Sequence, residues 1–486
     1  MRVIQTIIEL SSGTGVGNAI MSVKKILDRS NIENYIYTPK LNGIKENGQI
    51  IEVSDLENIP VNEDDVLIYH FTIGEVLNNK ILSINAKKIL VYQNVTPPEF
   101  FAEWDYNLYT ACIQGRYEAS ITACGYNRAI CMSKYNKNEL VSFGFEESKI
   151  DVIPIISLTQ FKTEPNKKII ETYKADGYVN ILFTGRIAPN KKIEDIVESF
   201  AYYNKNVNPK SRLILVGGLA IKNYVNAIRK YIAENDIQNV VFTGQVPDDE
   251  WEAYYKIADV FLCLSEHEGF CIPLLEAMQR DVCVVAYDCT AIPDTMGGAG
   301  VLLKDKSPAS VAAAIDRIVK DKTYKEEVLK GQRKRVSEFN IDSYADKVCE
   351  SIYKAAEDKA VCIKEKNTFL DTEDDDNKKV LKPLLNEKYV IYGLGKVGKG
   401  VVKKMDEIKD ENLVAICDNN YPDSKYKGYE VCKHEECISK YKDVKYVITV
   451  QAHFLDIMRN LMDSGVDFDS LYFYDEARGE ILGRSI

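Results

Sequence analysis

The feature that most constrains this chain is an alternation of short β-rich runs with helix-spaced segments, and it occurs twice before residue 335. In the first pass, Val3–Glu9, Asn34–Tyr37, Val66–His70, Lys88–Tyr92, Ala129–Met132 and Lys149–Ile153 read as strands. A loop, Ser11 to Gly17, follows the first of them and leads into a helix with Ile20, Val23, Ile26 and Leu27 on one face. The second pass has strands at Val179–Thr184, Arg212–Val216, Val240–Thr243, Val260–Leu264 and Val282–Tyr287. The intervening segments, about 10 to 15 residues each, have helical apolar spacing. Parallel strands need crossover connections, so this grammar predicts two doubly wound α/β domains in succession. Ligands are then expected where strand C-termini meet helix N-termini, in the cleft between the domains.

A third block repeats the pattern after a break. The helical segment Ile341–Ala356 is followed by residues 357 to 388, half of them charged and including the run Glu373 to Asp376, which read as a linker. Beyond it come the strand Tyr389–Tyr392, a glycine turn, a helix Gly400–Ile408, a strand Leu413–Asp418 and strands near Tyr446–Val450 and Leu471–Tyr474. The expected divisions are 1–160, 161–340, a helix over 341–358, a charged linker over 359–388, and a small Rossmann-like domain over 389–486.

Composition narrows the function classes. Lys plus Arg number 62 against 73 Asp plus Glu, a net charge of -11, which disfavours a nucleic-acid backbone as partner. No apolar run approaches the roughly 20 residues of a membrane span, and Met1 to Leu10 reads as a strand rather than a leader, so a cytoplasmic protein is expected. Twelve cysteines lie without a C-x-x-C pair, and Cys432, His434 and Cys437 make only three ligands, so reduced, core-filling thiols are the reading and no metal site is expected. With four histidines, His70, His267, His434 and His453, multi-histidine metal chemistry is disfavoured. His267, His434 and His453 are read as packing or hydrogen-bonding residues.

Chemistry concentrates in three loops. In Ser265 to Met278 a strand ends, Glu268 and Gly269 occupy a loop, and Pro273 suits a first helical turn. Loop and helix N–H groups there are free for an oxygen-rich ligand, and Glu276 is placed to accept from vicinal hydroxyls. An isolated pair of glutamates eight apart is more often a capped surface loop. In Phe183 to Lys192, Gly185 permits close backbone approach while Arg186 and Lys191 supply two cations suited to a pyrophosphate; alone, these would pass for solvated ends of a strand. In Ser11 to Asn18 a glycine loop lets amides meet a phosphate, but it lacks the Lys-Ser/Thr of a P-loop.

Together with Leu215-Val216-Gly217-Gly218, Phe242-Thr243-Gly244 and Ile292-Pro293-Asp294, these residues resemble the family-4 retaining glycosyltransferases of the GT-B fold over about residues 1 to 358. Tyr69-His70, Tyr92 to Pro97 and Ser133 to Asn136 look like a branch acting on bacterial surface polysaccharides. The resemblance implies a hexosyl group moved from a nucleotide diphosphate sugar, UDP- or GDP-linked, to a glycan or lipid-linked glycan at the cytosolic membrane face, without metal. It implies Arg186 and Lys191 on the diphosphate, Glu276 on the ribose, Val246 near the base, and Glu268, Gly269, Phe270 and Ile272 around the donor sugar. Gly15 and Gly17 would admit the phosphates, while His70, Gln93 and Asn94 are candidates for the acceptor or sugar. The sequence departs from that pattern at Gln93, where His is usual, and at Cys271 and Asp281, where glycine is common. Aspartate tolerates left-handed backbone, so Asp281 is compatible with the turn. Trp104, Tyr106 and Tyr109 offer an acceptor groove or membrane contact, with ordinary packing an equal expectation.

Gly393, Gly395 and Gly398 follow a strand and precede a helix, with Asp418 ending the next strand, the setting of a dinucleotide site. The block resembles small Rossmann-like domains of sugar-modifying enzymes, so a second nucleotide, NAD-like or other, is a candidate there. No Tyr-x-x-x-Lys is present, which favours a binding or structural module. Two alternatives to the transferase are a non-catalytic glycan-binding subunit on the same fold and a bifunctional enzyme with a sugar-modifying third domain.

Overall fold

Six consecutive residues, Val66 to Phe71, are all buried, the signature of a central parallel strand covered on both faces. In the computed structural model that strand lies mid-sheet. Residues 1–54, 59–122, 125–155, 163–339, 341–362, 384, 387–450, 457, 460–462, 464–466, 470–475 and 480–483 are described. His453 and most of the charged linker, Asp374 to Asp376 included, lie outside them. The chain divides into two compact units, residues 1–100 with 118–364, and residues 101–117 with 365–486.

The first unit holds two parallel sheets. One runs Ile50–Glu52, Asn34–Thr38, Val3–Thr6, Val66–Phe71, Lys87–Tyr92, Arg128–Cys131, Ile150–Val152. The other runs Val240–Gly244, Ser211–Val216, Val179–Thr184, Val260–Cys263, Cys283–Tyr287, Val301–Leu303. In both, the first strand in sequence sits inside the sheet and the order reverses beside it, opening a crevice at the strand C-termini. The helix Ile341–Glu357 returns to the first sheet, where Tyr344, Val348, Ile352 and Ala355 join one core with Val3, Ile26, Val66 and Ile89.

The first strand is shorter than its apolar run. It ends at Thr6, and Leu10–Ser11 pairs instead with Leu41–Asn42 in a separate ladder, which leaves Ile7 to Glu9 as a connecting wall. The three-residue strands Ile50–Glu52 and Val301–Leu303 are additions to the expected set; each is too short to show a period.

In the second unit, the third sheet runs Lys425–Tyr426, Tyr429–Cys432, Leu413–Cys417, Tyr389–Tyr392, Lys445–Ile448, Leu471–Asp475, Glu480–Gly483, parallel except for its two edge strands. The helix begins at Lys396 rather than at Gly400. Gly398 lies inside its first turn because a Cβ there would stand 1.9 Å from the Gly393 carbonyl oxygen, so the glycine serves close helix–strand packing and not a break. Among the described residues no helix is long and apolar enough to cross a membrane.

Candidate functional site

The site grows from the glycine-rich strand ends of the second sheet. Gly217 has φ +146°, and a Cβ on it would meet the Gly185 carbonyl oxygen at 1.9 Å. Backbone bonds from Gly185 N to Val216 O (2.9 Å) and from Gly217 N to Gly244 O (3.0 Å) hold the tips together. Arg186 follows at the rim. It is exposed and has no ion pair or hydrogen bond among the described residues, so its charge is unspent.

The turn Pro189–Lys191 is tied to the 265–271 loop. Glu266 N donates to Asn190 O (3.0 Å), and the Asn190 amide donates to His267 O (3.0 Å). This carries Lys191 Nζ to 2.6 Å from both oxygens of the buried Glu268 carboxylate. Burial pulls the ammonium pKa down, but the Glu268 charge and its hydrogen bond, aided by Cys271, outweigh it and the net shift is upward. The ammonium is therefore held in its charged form.

Cys271 caps the helix Ile272–Gln279 at φ +69°, and Pro273 stands in its first turn as its fixed φ favours. Asp281, at φ +54°, takes the left-handed conformation expected of it. Glu276 accepts from the Tyr255 hydroxyl at 3.4 Å, and that hydroxyl lies 2.6 Å from Thr184 Oγ1. Burial raises the Glu276 carboxyl to about 7 against the opposing pull of Arg280.

From the first sheet, Thr14 accepts the Gly17 N–H at 3.0 Å and caps the helix Gly15–Arg29. A Cβ on Gly17 would lie 2.1 Å from Ser11 O, so glycine is required by the turn, while one on Gly15 would only touch Ile272 Cδ1 at 3.4 Å. Glu9 is held by Lys40 (2.7 Å), Ser11 (2.7 Å) and Asn42 (3.2 Å). Glu75 is raised to about 8 by burial and by the charges of Glu118 and Glu9, and its Oε2 is buried without a hydrogen-bond partner among the described residues.

These elements enclose a cavity of about 700 Å³. Of the residues expected from sequence, Gly15, Arg186, Lys191 and Glu268 line it, together with Glu9, Thr14, Glu75, Cys263 and Cys271. Glu75 and Cys263 are not among the residues expected from sequence: Glu75 follows Gly74 in a short loop that bears no other charged residue, and Cys263 ends an apolar run.

The other candidates are not among the residues that line the cavity. Val246 and Phe270 pack in the second sheet's core, Phe270 edge-on to Phe339 at 6.0 Å. Gly269 is a point of contact between the halves: its carbonyl accepts from Ser133 Oγ (2.8 Å), and a Cβ would stand 2.6 Å from that of Asn94. Asn94 Oδ1 accepts from His267 Nε2 at 2.7 Å, and Lys134 N donates to Asp294 at 2.9 Å. His70 is buried within the first sheet, its Nε2 bonded to Gln5 (3.0 Å) and its Nδ1 facing the Gln93 amide (3.4 Å). Burial alone lowers its pKa to about 3, so its imidazole is neutral. Tyr109 is buried, and Trp104 and Tyr106 are partly so.

In the second unit, Gly393 has φ +99° and a Cβ there would meet Val450 Cγ2 at 2.1 Å. Asp418 Oδ2 accepts from Leu394 N (2.6 Å), and Oδ1 accepts from Asn420 N (2.7 Å) and Tyr421 N (2.9 Å). Its carboxylate is occupied by backbone donors. His434 Nδ1 lies 2.9 Å from the Tyr392 hydroxyl.

Residues 166–335 match the family described as Glycosyl transferases group 1. The chain is 24% identical over 160 residues to the O-antigen chain mannosyltransferase B of Escherichia coli, covering 32% of this chain and 41% of that one. It is 27% identical over 210 residues to the capsular polysaccharide biosynthesis glycosyltransferase CapM of Staphylococcus aureus, covering 42% and 52%. It thus spans about half the length of these relatives. Among solved structures, HepE from Anabaena, in complex with UDP and glucose, superposes with a TM-score of 0.53 at 14% identity over 73% of this chain and 99% of that one. This likeness shows the fold alone, two facing Rossmann-like halves. Residues 166–335 thus resemble the glycosyl transferases group 1 family, within a chain whose fold is that of the GT-B structures.

Proposed function

We propose that this chain is a retaining glycosyltransferase that moves a hexosyl group from a nucleotide diphosphate sugar to a glycan or lipid-linked glycan in cell-surface polysaccharide synthesis. One observation carries the reading: the unpaired Arg186 and the Lys191–Glu268 pair face the same cavity at the strand ends, with Gly15 on the opposing wall. Relatives named for O-antigen and capsule synthesis support the substrate class.

In this reading the donor diphosphate rests on Arg186, Lys191 and the start of the helix Ile272–Gln279, with Glu276 at the ribose and Val246 near the base. As the glycosidic bond lengthens, negative charge grows on the leaving diphosphate. Cations fixed beforehand stabilise that charge more than the ground state, which lowers the barrier. Lys191 turns from Glu268 toward the phosphate, and Glu268 is left to accept from donor-sugar hydroxyls. The leaving phosphate oxygen takes the acceptor proton on the same face, so configuration is retained and the step needs no metal. The neutral, enclosed His70 has no part in that proton transfer. The third sheet acts as a structural module, since the Asp418 carboxylate is bound by its own backbone.

Incubation of the full chain with UDP- and GDP-hexoses and glycan or lipid-linked acceptors tests this. Transfer with retained anomeric configuration, reduced at least ~100-fold in Arg186→Ala, is the expected result. Equal turnover by Arg186→Ala and Glu276→Ala would remove the site from the mechanism.

A further inference from the structure

Within the donor-side wall, Cys263 Sγ and Cys271 Sγ lie 3.9 Å apart. A carboxylate oxygen of Glu268 joins them, the three donor atoms falling within 4.8 Å of one another. All three side chains are buried and all three line the cavity, which gives an ion a route to them. Two thiolates on a tetrahedral zinc-like ion, with metal–sulfur bonds of about 2.3 Å, are separated by about 3.8 Å along the tetrahedral edge. The observed spacing matches that edge and is nearly twice a disulfide bond length.

Two further features point the same way. Cys271 holds a left-handed backbone, φ +69°, which glycine adopts without cost and a side chain does not. A cysteine kept there is placed against the preference of its own backbone. The second feature is charge. A divalent ion with two thiolates and one carboxylate leaves one negative charge, and the Lys191 ammonium, 2.6 Å from the same carboxylate, neutralises it.

We propose that Cys263, Cys271 and Glu268 form a binding site for a thiophilic divalent cation of the zinc class, with its fourth position open for water or a phosphate oxygen. Binding is a ligand exchange without redox: the hydrated metal releases bound waters as it gains two metal–sulfur bonds and one metal–oxygen bond, and the two thiol protons leave to solvent. Affinity therefore rises with pH. Occupation immobilises the loop from Cys263 to Cys271 and takes Glu268 away from the donor sugar, so the ion inhibits rather than assists transfer. The ion site stands on the cavity geometry, while its inhibitory effect rests on the transferase reading.

The test is titration of the reduced full-length protein with Co²⁺, whose thiolate charge-transfer and tetrahedral d–d absorption report the ligands without any turnover. Wild type is expected to bind one more equivalent of thiolate-ligated cobalt than Cys271→Gly or Cys263→Ser, with Zn²⁺ displacing it. The remaining cysteines contribute equally to all three proteins and cancel. Glycine suits φ +69°, so Cys271→Gly keeps the fold, checked by circular dichroism, and decides the matter if Cys263→Ser unfolds. Identical spectra and stoichiometry in wild type and Cys271→Gly would overturn the site.

Discussion

At the tip of Val179–Thr184, a glycine is followed by Arg186, whose guanidinium has no partner among the described residues. At the tip of Tyr389–Tyr392, the corresponding glycine is followed by Leu394, whose N–H is taken by Asp418, and the space above is filled by Val450. Both turns come from the same strand–glycine–helix grammar, and both glycines hold a positive φ, +138° at Gly185 and +99° at Gly393. What separates them is whether the polar groups are left over. In the first unit the cations face a cavity; in the second the acid that a dinucleotide fold would offer to a ribose is satisfied internally. A motif thus reports backbone geometry faithfully and ligand binding only when its charges remain unspent.

The largest effect that would break this contrast is at Arg186. Arg186→Ala is expected to lower transfer from the nucleotide sugar at least ~100-fold with little change in thermal stability, because an unpaired exposed cation contributes to the transition state and not to folding. A large loss of stability instead would mean that the guanidinium is structural. Next, Asp418→Ala removes three backbone bonds and should cost about 1–3 kcal/mol in the denaturant unfolding of the third sheet. NAD(H) titration of the wild-type chain should give no heat, and a saturable signal would put the two glycine turns on the same footing.

A smaller effect concerns Glu276. With its carboxyl at about 7, the fraction able to accept from ribose hydroxyls grows as pH rises from 6 to 8, so the donor KM should fall across that window. Glu276→Gln should raise KM about 10-fold, the loss of a charge-assisted hydrogen bond, and flatten the profile. A further effect, on stability and not on transfer, is at Glu75. Its folded carboxyl, at about 8, binds a proton more tightly than the unfolded one. Stability therefore falls as pH rises from about 4.5 through 8, and Glu75→Gln should raise Tm above pH 8 while leaving it unchanged near pH 4. His70, lowered to about 3, acts oppositely, costing stability as pH falls from about 6.5 toward 3.

The long strands of the first unit are legible in sequence because each is a run of apolar residues buried on both faces, as in Val66–Phe71 and Val179–Thr184. Ile50–Glu52 and Val301–Leu303 are not, since three residues at a sheet edge carry no period. The start of the helix at Lys396 was hidden by Gly398, which looks like a breaker and is a packing contact. In the site, Arg186, Lys191 and Glu268 are legible because loop and strand-end chemistry is written locally. Glu75 is not: its neighbour Glu118 is 43 residues away, and only the fold brings the two carboxylates together. The Cys263–Cys271 approach is equally invisible, because spacing alone does not show that a left-handed residue turns one thiol back onto the other.

Calorimetric titration of the full chain with UDP- and GDP-hexoses, wild type beside Arg186→Ala, tests the central claim most directly. Saturable binding of at least one of them to wild type, weakened in Arg186→Ala by ~10-fold or more as the loss of a charge-assisted contact to phosphate requires, is the predicted result. Equal affinity in the two proteins, or no binding by wild type, would contradict it.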